Sequence, residues 1–306
     1  CSRFTIIQST ARGICMMKEL LLQQEWLKKI SGCKLATKSK LRGQHKGSHR
    51  SNRFGSSMDF SDFREYHLGD DVRQVDWNVY ARTEKYFIKR FLDEQEMRVH
   101  ILLDGSKSMM QQEKWLLARQ LTLALGQLVL QNDDRLSFSV ISEEKIAPFR
   151  KKGSTYKHIF AHTIANLPEP TLKQSFVGQA LKHLSKGQTV LIIITDGLEP
   201  IEQWEALIQR LPRYAGDIRI IQVVTQEEMY PTFTGDMELF DVETDEKFNI
   251  SMSNQIIEQY ITKKVEHEKK FQLLCAKYGM ATIQLVAEDG FSNAFFHRLK
   301  KANWIL

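Results

Sequence analysis

The chain has 306 residues, 42% apolar and 26% charged, with a formal net charge of +6, a length and composition that suit one large globular domain or two small ones with a sizeable core. Its four cysteines, at positions 1, 15, 33 and 275, have no close pairing, which argues against a disulfide framework or a zinc knuckle and favours a reducing compartment. The most apolar runs, 121–130 and 190–194, fall far short of the roughly 20 residues that span a bilayer. The N-terminus lacks the charged head, long apolar middle and small-residue cleavage site of a secretory signal, so a cytoplasmic protein is expected. Residues 1–15 precede the doublet Met16 and Met17 and read as an over-extended reading frame or a truncated gene model.

In chain order, "KELLLQQEWLKKI" (18–30) predicts a leading amphipathic helix. Residues 28–53 then hold nine Lys or Arg and no acid, which leaves the rest of the chain net acidic. Such a tract can bind nucleic acid, anionic lipid or an acidic protein, or serve as a solvated arm. No aromatics interleave it, so nucleic acid is not favoured. Residues 54–91 are rich in aromatics and charges; within them "EKYFIKRFLDE" (84–94) reads equally as strand or irregular structure.

From Met97 onward strands alternate with helices. "RVHILLD" reads as a buried strand, and 113–131 as a helix with apolar residues at 117, 121, 124, 125 and 128. A strand at 134–142 and helices at 155–167 and 175–185 follow. "TVLIIITD" (189–196) is a fully buried strand, 201–211 a helix and 217–225 a strand. Residues 235–252 read as an inserted β-hairpin, followed by a long helix (253–278), a last strand (281–287) and a closing helix (291–301). This alternation implies an α/β fold with a mostly parallel sheet covered on both faces.

In such a sheet the loops after the strands converge on one edge, so Asp104 and Asp196, each closing a buried strand, are expected close together. Ser106 and Ser108 add neutral oxygens, and Ser175 begins a helix on a third loop. Carboxylates with hydroxyls form a hard oxygen donor set, suited to Mg²⁺ or Mn²⁺ rather than zinc. Taken alone, D-x-S-x-S reads equally as a helix cap.

The set Asp104, Ser106, Ser108, then a hydroxyl, then "TDG" (195–197) resembles the metal-ion-dependent adhesion site of von Willebrand factor type A domains, and the order of elements after residue 97 resembles their fold. The resemblance implies Asp104, Ser106 and Ser108 as first-loop ligands, Ser175 as the second-loop hydroxyl where the family usually has threonine, and Asp196 as the third-loop carboxylate. It also implies an open metal position that accepts a partner's carboxylate, with Lys107 placed to compete with or tune the ion. The segment 47–91, "GSHRSNRFGSSMDFSDFREYHLGDDVRQVDWNVYARTEKYFIKRF", and the "GDMELFDVETDE" hairpin resemble the bacterial domain of unknown function 58 family. Longer members carry transmembrane helices; this chain resembles the shorter, soluble subgroup. That resemblance implies partnership with MoxR-type AAA+ ATPases or their clients in chaperone-like assembly or metal insertion. It divides the chain into a leading segment (1–46), a family signature (47–96) and a type A-like domain (97–306).

Other clusters have competing readings. Asp70, Asp71, Arg73, Asp76, Trp77 and Arg82 form a second acidic metal site, a recognition surface or an Arg–carboxylate network around a buried Trp; the network is favoured because arginine beside the acids repels a cation. His45 and His49 lack a third zinc ligand. An aspartyl-phosphate phosphatase would need a second Asp where Ser106 stands, and no G-x-S-x-G elbow or Walker loop is present. The expectation is therefore a non-enzymatic interaction module; the alternative is a metal-dependent hydrolase using the same carboxylates.

Overall fold

Apolar strand runs build the middle of the molecule, and their ends fix where polar chemistry can gather. The computed structural model describes residues 4–5, 21–37, 59–92, 96–231, 235–241, 247–252 and 254–306. In chain order the elements are β1 (Phe4–Thr5), α1 (Gln24–Ser31), β2 (Asp59–Glu65), α2 (Trp77–Thr83), β3 (Phe87–Leu92), β4 (Arg98–Asp104) and α3 (Gln112–Gln131). Next come β5 (Arg135–Ile141), β6 (Phe149–Lys152), α4 (Lys157–Ala165), α5 (Phe176–His183), β7 (Gln188–Thr195), α6 (Ile201–Ile208), β8 (Ala215–Val224) and α7 (Gln226–Met229). The chain closes with β9 (Gly235–Asp241), β10 (Lys247–Met252), α8 (Asn254–Lys277), β11 (Ala281–Val286) and α9 (Gly290–Ser292), which runs into a π-helical segment, Asn293–Leu299.

Two compact units result, one of residues 1–44 with 97–306 and the other of residues 45–96. The larger unit holds a six-stranded sheet in the order β11-β8-β7-β4-β5-β6. All neighbours are parallel except β6, which runs antiparallel to β5 at the edge. Side chains alternate across the sheet: Val99, Ile101 and Leu103 of β4 pack with α1, α3, α4 and the C-terminal helical segment, while Leu102 packs with α5, α6 and α8. Burial on both faces explains the nearly unbroken apolar runs of β4 and β7. This is the α/β architecture with a mostly parallel sheet covered on both faces that the alternation after residue 97 implies. The inserted hairpin is present as β9 and β10, joined by β1 on the free side of β9.

Three expectations change. The strand β6, "FRKK", carries Arg150, Lys151 and Lys152 along an exposed edge, where charge discourages pairing with other chains and erases the apolar alternation that marks a strand. The leading helix starts at Gln24, because Leu21 and Leu22 form a bend and Gln23 has an extended backbone; residues 18–20 lie outside the described part. Residues 28–37, the described part of the basic tract, are no solvated arm either. Leu22, Ile30 and Leu35 are buried in the main core, and Lys34 and Ala36 pair through their backbones with Leu306 and Trp304. Arg219 of β8 anchors this strap, donating to the Trp304 and Ala36 carbonyls and to Asp217. The remainder of the basic tract, with His45 and His49, lies outside the described residues.

The smaller unit pairs β2 with β3 as an antiparallel ladder, which resolves the 84–94 stretch as strand through Leu92. Asp70 accepts a bidentate fork from Arg64, at 2.7 and 2.8 Å. Asp71 caps the turn Val72–Gln74, and Asp76 caps α2 through the amides of Asn78 and Val79. The acids thus serve a structural network, but Trp77 is 58% exposed and is not its buried centre. No helix among the described residues is long and apolar enough to cross a membrane.

Two tests follow from the packing of the larger unit. A Cβ on Gly126 of α3 would meet the buried Phe160 ring at 2.1 Å, and that ring is held by Phe138 and Phe149. Gly126→Ala should lower the unfolding free energy in urea by about 1–2 kcal/mol, because overpacking outweighs the roughly 1 kcal/mol gain in helix propensity. His100 of β4 is fully buried with no hydrogen-bond partner on either ring nitrogen. Burial first, then the charges of Arg150 and His183, push its pKa down to about 4. Since the fold favours neutral His100, its stabilising contribution is present above the ordinary histidine pKa and is lost as pH falls toward 4. His100→Gln should remove that loss: its stability relative to wild type should improve by on the order of 3 kcal/mol between about pH 7 and about pH 4. An unchanged difference would contradict the burial argument.

Candidate functional site

The central strands β4 and β7 are sequence-distant neighbours from which the chain departs in opposite directions, toward β5 and toward β8. This is the topological switch point, where a crevice opens at the carboxyl ends of the strands. Asp104 is the last residue of β4, and Asp196 directly follows β7.

Asp104 is 2% exposed, and both its oxygens are engaged. Oδ1 accepts from the Ser106 amide at 2.8 Å, and Oδ2 from the Thr195 hydroxyl at 2.7 Å. Burial raises its pKa to about 6, with repulsion from Asp196 adding to the shift and the Thr195 and Ser106 hydrogen bonds opposing it. The ionised form of Asp104 therefore costs stability as pH rises through about 6, a cost that a nearby cation relieves.

Ser106 and Ser108 lie on the turn after β4, their hydroxyls 2.9 Å apart and both buried. The turn is pinned at close quarters. Gly105 donates to the Ile141 carbonyl at the end of β5, and a Cβ on Gly105 would meet that oxygen at 2.5 Å. The Gly105 carbonyl and the Lys107 amide pair with Leu172, drawing the strand-like segment before α5 alongside the first loop. Neither serine caps α3, whose N-cap is Gln111; Ser106 opens the Lys107–Met109 turn without a side-chain capping bond. The helix-cap alternative for this pair is thus not what the chain adopts.

Ser175 takes a different place. It caps α5 by accepting from the Gly178 amide at 3.1 Å, and its hydroxyl lies 2.8 Å from both Glu199 Oε1 and Gln203 Oε1. Buried Glu199 also accepts from the Val177 amide, so Ser175 belongs to a network that ties α5 to the loop after Asp196.

Two charged residues that the sequence reading did not single out complete the edge. Lys114, in the first turn of α3, is 0% exposed. Its Nζ lies 2.7 Å from Glu228 Oε1 and 3.5 Å from Asp196 Oδ2, and donates to the Ser108 carbonyl at 3.1 Å. Burial works to lower the Lys114 pKa, but Glu228 and Asp196 outweigh it and hold the ammonium above the usual lysine range. Glu228 is placed by a capping box in which the Thr225 hydroxyl accepts from its amide and its own carboxylate accepts from the Thr225 amide. Tyr260 and Lys264 of α8 donate to its carbonyl.

A signal for Lys114 existed. It stands seven residues before Leu121 and three before Leu117, on the buried stripe of α3, where a lone lysine needs an anionic partner. Glu228 carried a weaker one: Thr225-x-x-Glu228 is capping-box spacing and marks a helix start, but a four-residue helix shows no period that would mark its carboxylate as buried.

Hard oxygens are therefore what this edge offers. Two hydroxyls at 2.9 Å match adjacent corners of an octahedron whose metal–oxygen bonds are about 2.1 Å, and two buried carboxylates lie at the same strand ends. The donor set fits Mg²⁺ or Mn²⁺. Among the described residues no three His, Cys, Asp or Glu side chains converge as ligands, so the hydroxyls are essential to any such site.

Comparison with known proteins places the chain. It is 26% identical over 219 residues to the uncharacterized proteins Mb1516 of Mycobacterium bovis and Rv1480 of Mycobacterium tuberculosis, covering 69% of this chain and 68% of each relative. Among solved structures, BatB from Bacteroides thetaiotaomicron aligns over 67% of this chain and 98% of its own, with a TM-score of 0.32 and 16% identity. The SpRpn10 VWA domain aligns over 64% of this chain and 91% of its own, with a TM-score of 0.35 and 10% identity. The family described as "Protein of unknown function DUF58" matches residues 62–270, more than half of the chain, and the chain belongs to that family.

Proposed function

We propose that the chain is a non-enzymatic protein-interaction module whose carboxyl-edge site holds Mg²⁺ or Mn²⁺ through Asp104, Ser106, Ser108 and Asp196, with Ser175 as the adjoining second-loop hydroxyl. The observation that carries this reading is the pair of buried hydroxyls 2.9 Å apart beside two buried carboxylates at the switch point. Asp104 acts mainly by orientation. One carboxylate oxygen receives the Ser106 amide and so sets the turn that aims the serines, while the other ties that turn to Thr195 on β7. Such second-sphere carboxylates orient the direct ligands, and their loss typically costs roughly 10- to 100-fold in metal affinity. Ser175 would have to share its oxygen with the α5 cap and the Glu199 network, which makes it the most adjustable of the five.

When bound, the ion would supply an electron-poor centre for a carboxylate of a partner protein. By family resemblance that partner is a MoxR-type AAA+ ATPase or its client, in the cytoplasm. Binding rather than turnover is favoured, because both Asp104 oxygens already accept hydrogen bonds and Asp196 faces an ammonium.

Calorimetric titration of the full chain with Mg²⁺ and Mn²⁺ tests the reading. Wild type should bind saturably, and Asp104→Ala should weaken binding by roughly 10- to 100-fold or more. Identical titrations for the two proteins would remove Asp104 from the site and overturn the assignment. Metal-dependent turnover of a phosphoester, lost in Asp196→Ala, would instead favour the hydrolase reading.

A further inference from the structure

Lys114 uses its ammonium fully. An ammonium has three N–H donors, and three acceptors surround this one: the Glu228 carboxylate, the Asp196 carboxylate and the Ser108 carbonyl. Two of these belong to residues of the proposed metal site. The third, Glu228, is fixed by its capping box and by α8. The ammonium therefore has a rigid seat that touches the site through the Asp196 carboxylate and the Ser108 carbonyl.

The electrostatic consequence is direct. Asp104 and Asp196 are both buried and repel one another, and a site built only from them would need an external cation to hold together. Lys114 supplies a positive charge from within the chain. It stabilises Asp196 without metal, and for the same reason it draws charge density from the carboxylate that an incoming divalent ion would use. Two cations sharing one carboxylate in a poorly screened interior each weaken the hold on the other.

We propose that Lys114 is a resident counter-ion of the carboxyl-edge site, which keeps the site assembled without metal and lowers its affinity for divalent cations by competing for Asp196. The inference rests on the reading of Asp104, Ser106, Ser108 and Asp196 as the metal site. Lys114 is a positioning and affinity-setting residue, not a ligand, and the Asp196–Lys114–Glu228 chain connects the loop after β7 to α7 and α8.

The test is calorimetric titration of the full chain with Mn²⁺, comparing wild type, Lys114→Met, Lys114→Gln and Glu228→Gln. Far-ultraviolet circular dichroism checks that each variant is folded. Lys114→Gln retains a donor for Glu228 in case the methionine variant does not fold. Both lysine variants should bind Mn²⁺ at least roughly tenfold more tightly than wild type. Glu228→Gln, which leaves the ammonium more firmly on Asp196, should bind it more weakly. A lysine with only a structural role would change the melting temperature without moving these affinities in opposite directions. Unchanged Mn²⁺ affinity in folded lysine variants, or unchanged or tighter binding by Glu228→Gln, would overturn the inference while leaving the metal site in place. Binding by a lysine variant that survives Asp104→Ala in the same background, or no binding by any of the four proteins, would overturn both.

Discussion

The constraint on which this structure depends is the burial of two carboxylates at the switch point of a parallel sheet. Asp104 and Asp196 sit where β4 and β7 end, because parallel strands deliver their carboxyl termini to one edge. Water would solvate such a pair cheaply, but both are almost fully buried. The surrounding chain compensates with oriented donors: the Ser106 amide and Thr195 hydroxyl on Asp104, the Leu198 amide on Asp196, and the Lys114 ammonium beside Asp196. Each arises from a different element, so the edge forms only when β4, β7, α3 and the intervening loops are in place together.

That arrangement explains the local backbone. Gly105 lets the first loop pass against the β5 carbonyl, which turns Ser106 and Ser108 into the crevice. The pairing of this loop with Leu172 draws the start of α5 alongside. Glu228 reaches Lys114 only because α7 follows β8 immediately and is fastened by α8. A site of this kind is set by sheet topology and tuned by charges from helices distant in sequence.

Much of this was legible from residues alone. The apolar runs of β4 and β7 end in acids, which places Asp104 and Asp196 on one edge by pattern alone, and the serine spacing after Asp104 marks a turn rich in oxygen. The inserted hairpin and the long helix α8 also declared themselves by pattern. The illegible parts share a physical cause: they depend on partners that local pattern does not encode. The edge strand β6 is charged because it faces solvent. Trp77 looked like a buried anchor, yet its neighbours Asp70 and Asp76 satisfy themselves with Arg64 and with backbone amides. Ser175 began a helix as expected, but its hydroxyl meets Glu199 from the loop after β7. Lys114 stood on an apolar stripe whose meaning required Glu228, over a hundred positions later.

The most direct measurement is a crystal structure grown with saturating Mn²⁺, with anomalous scattering recorded near the manganese edge. An anomalous peak is expected within coordinating distance of both the Ser106 and Ser108 hydroxyls, with Asp104 still bonded to Thr195 and the Lys114 ammonium still against Glu228. A map without that peak, with the two hydroxyls bonded only to each other, would contradict the central claim that this edge is a divalent-cation site.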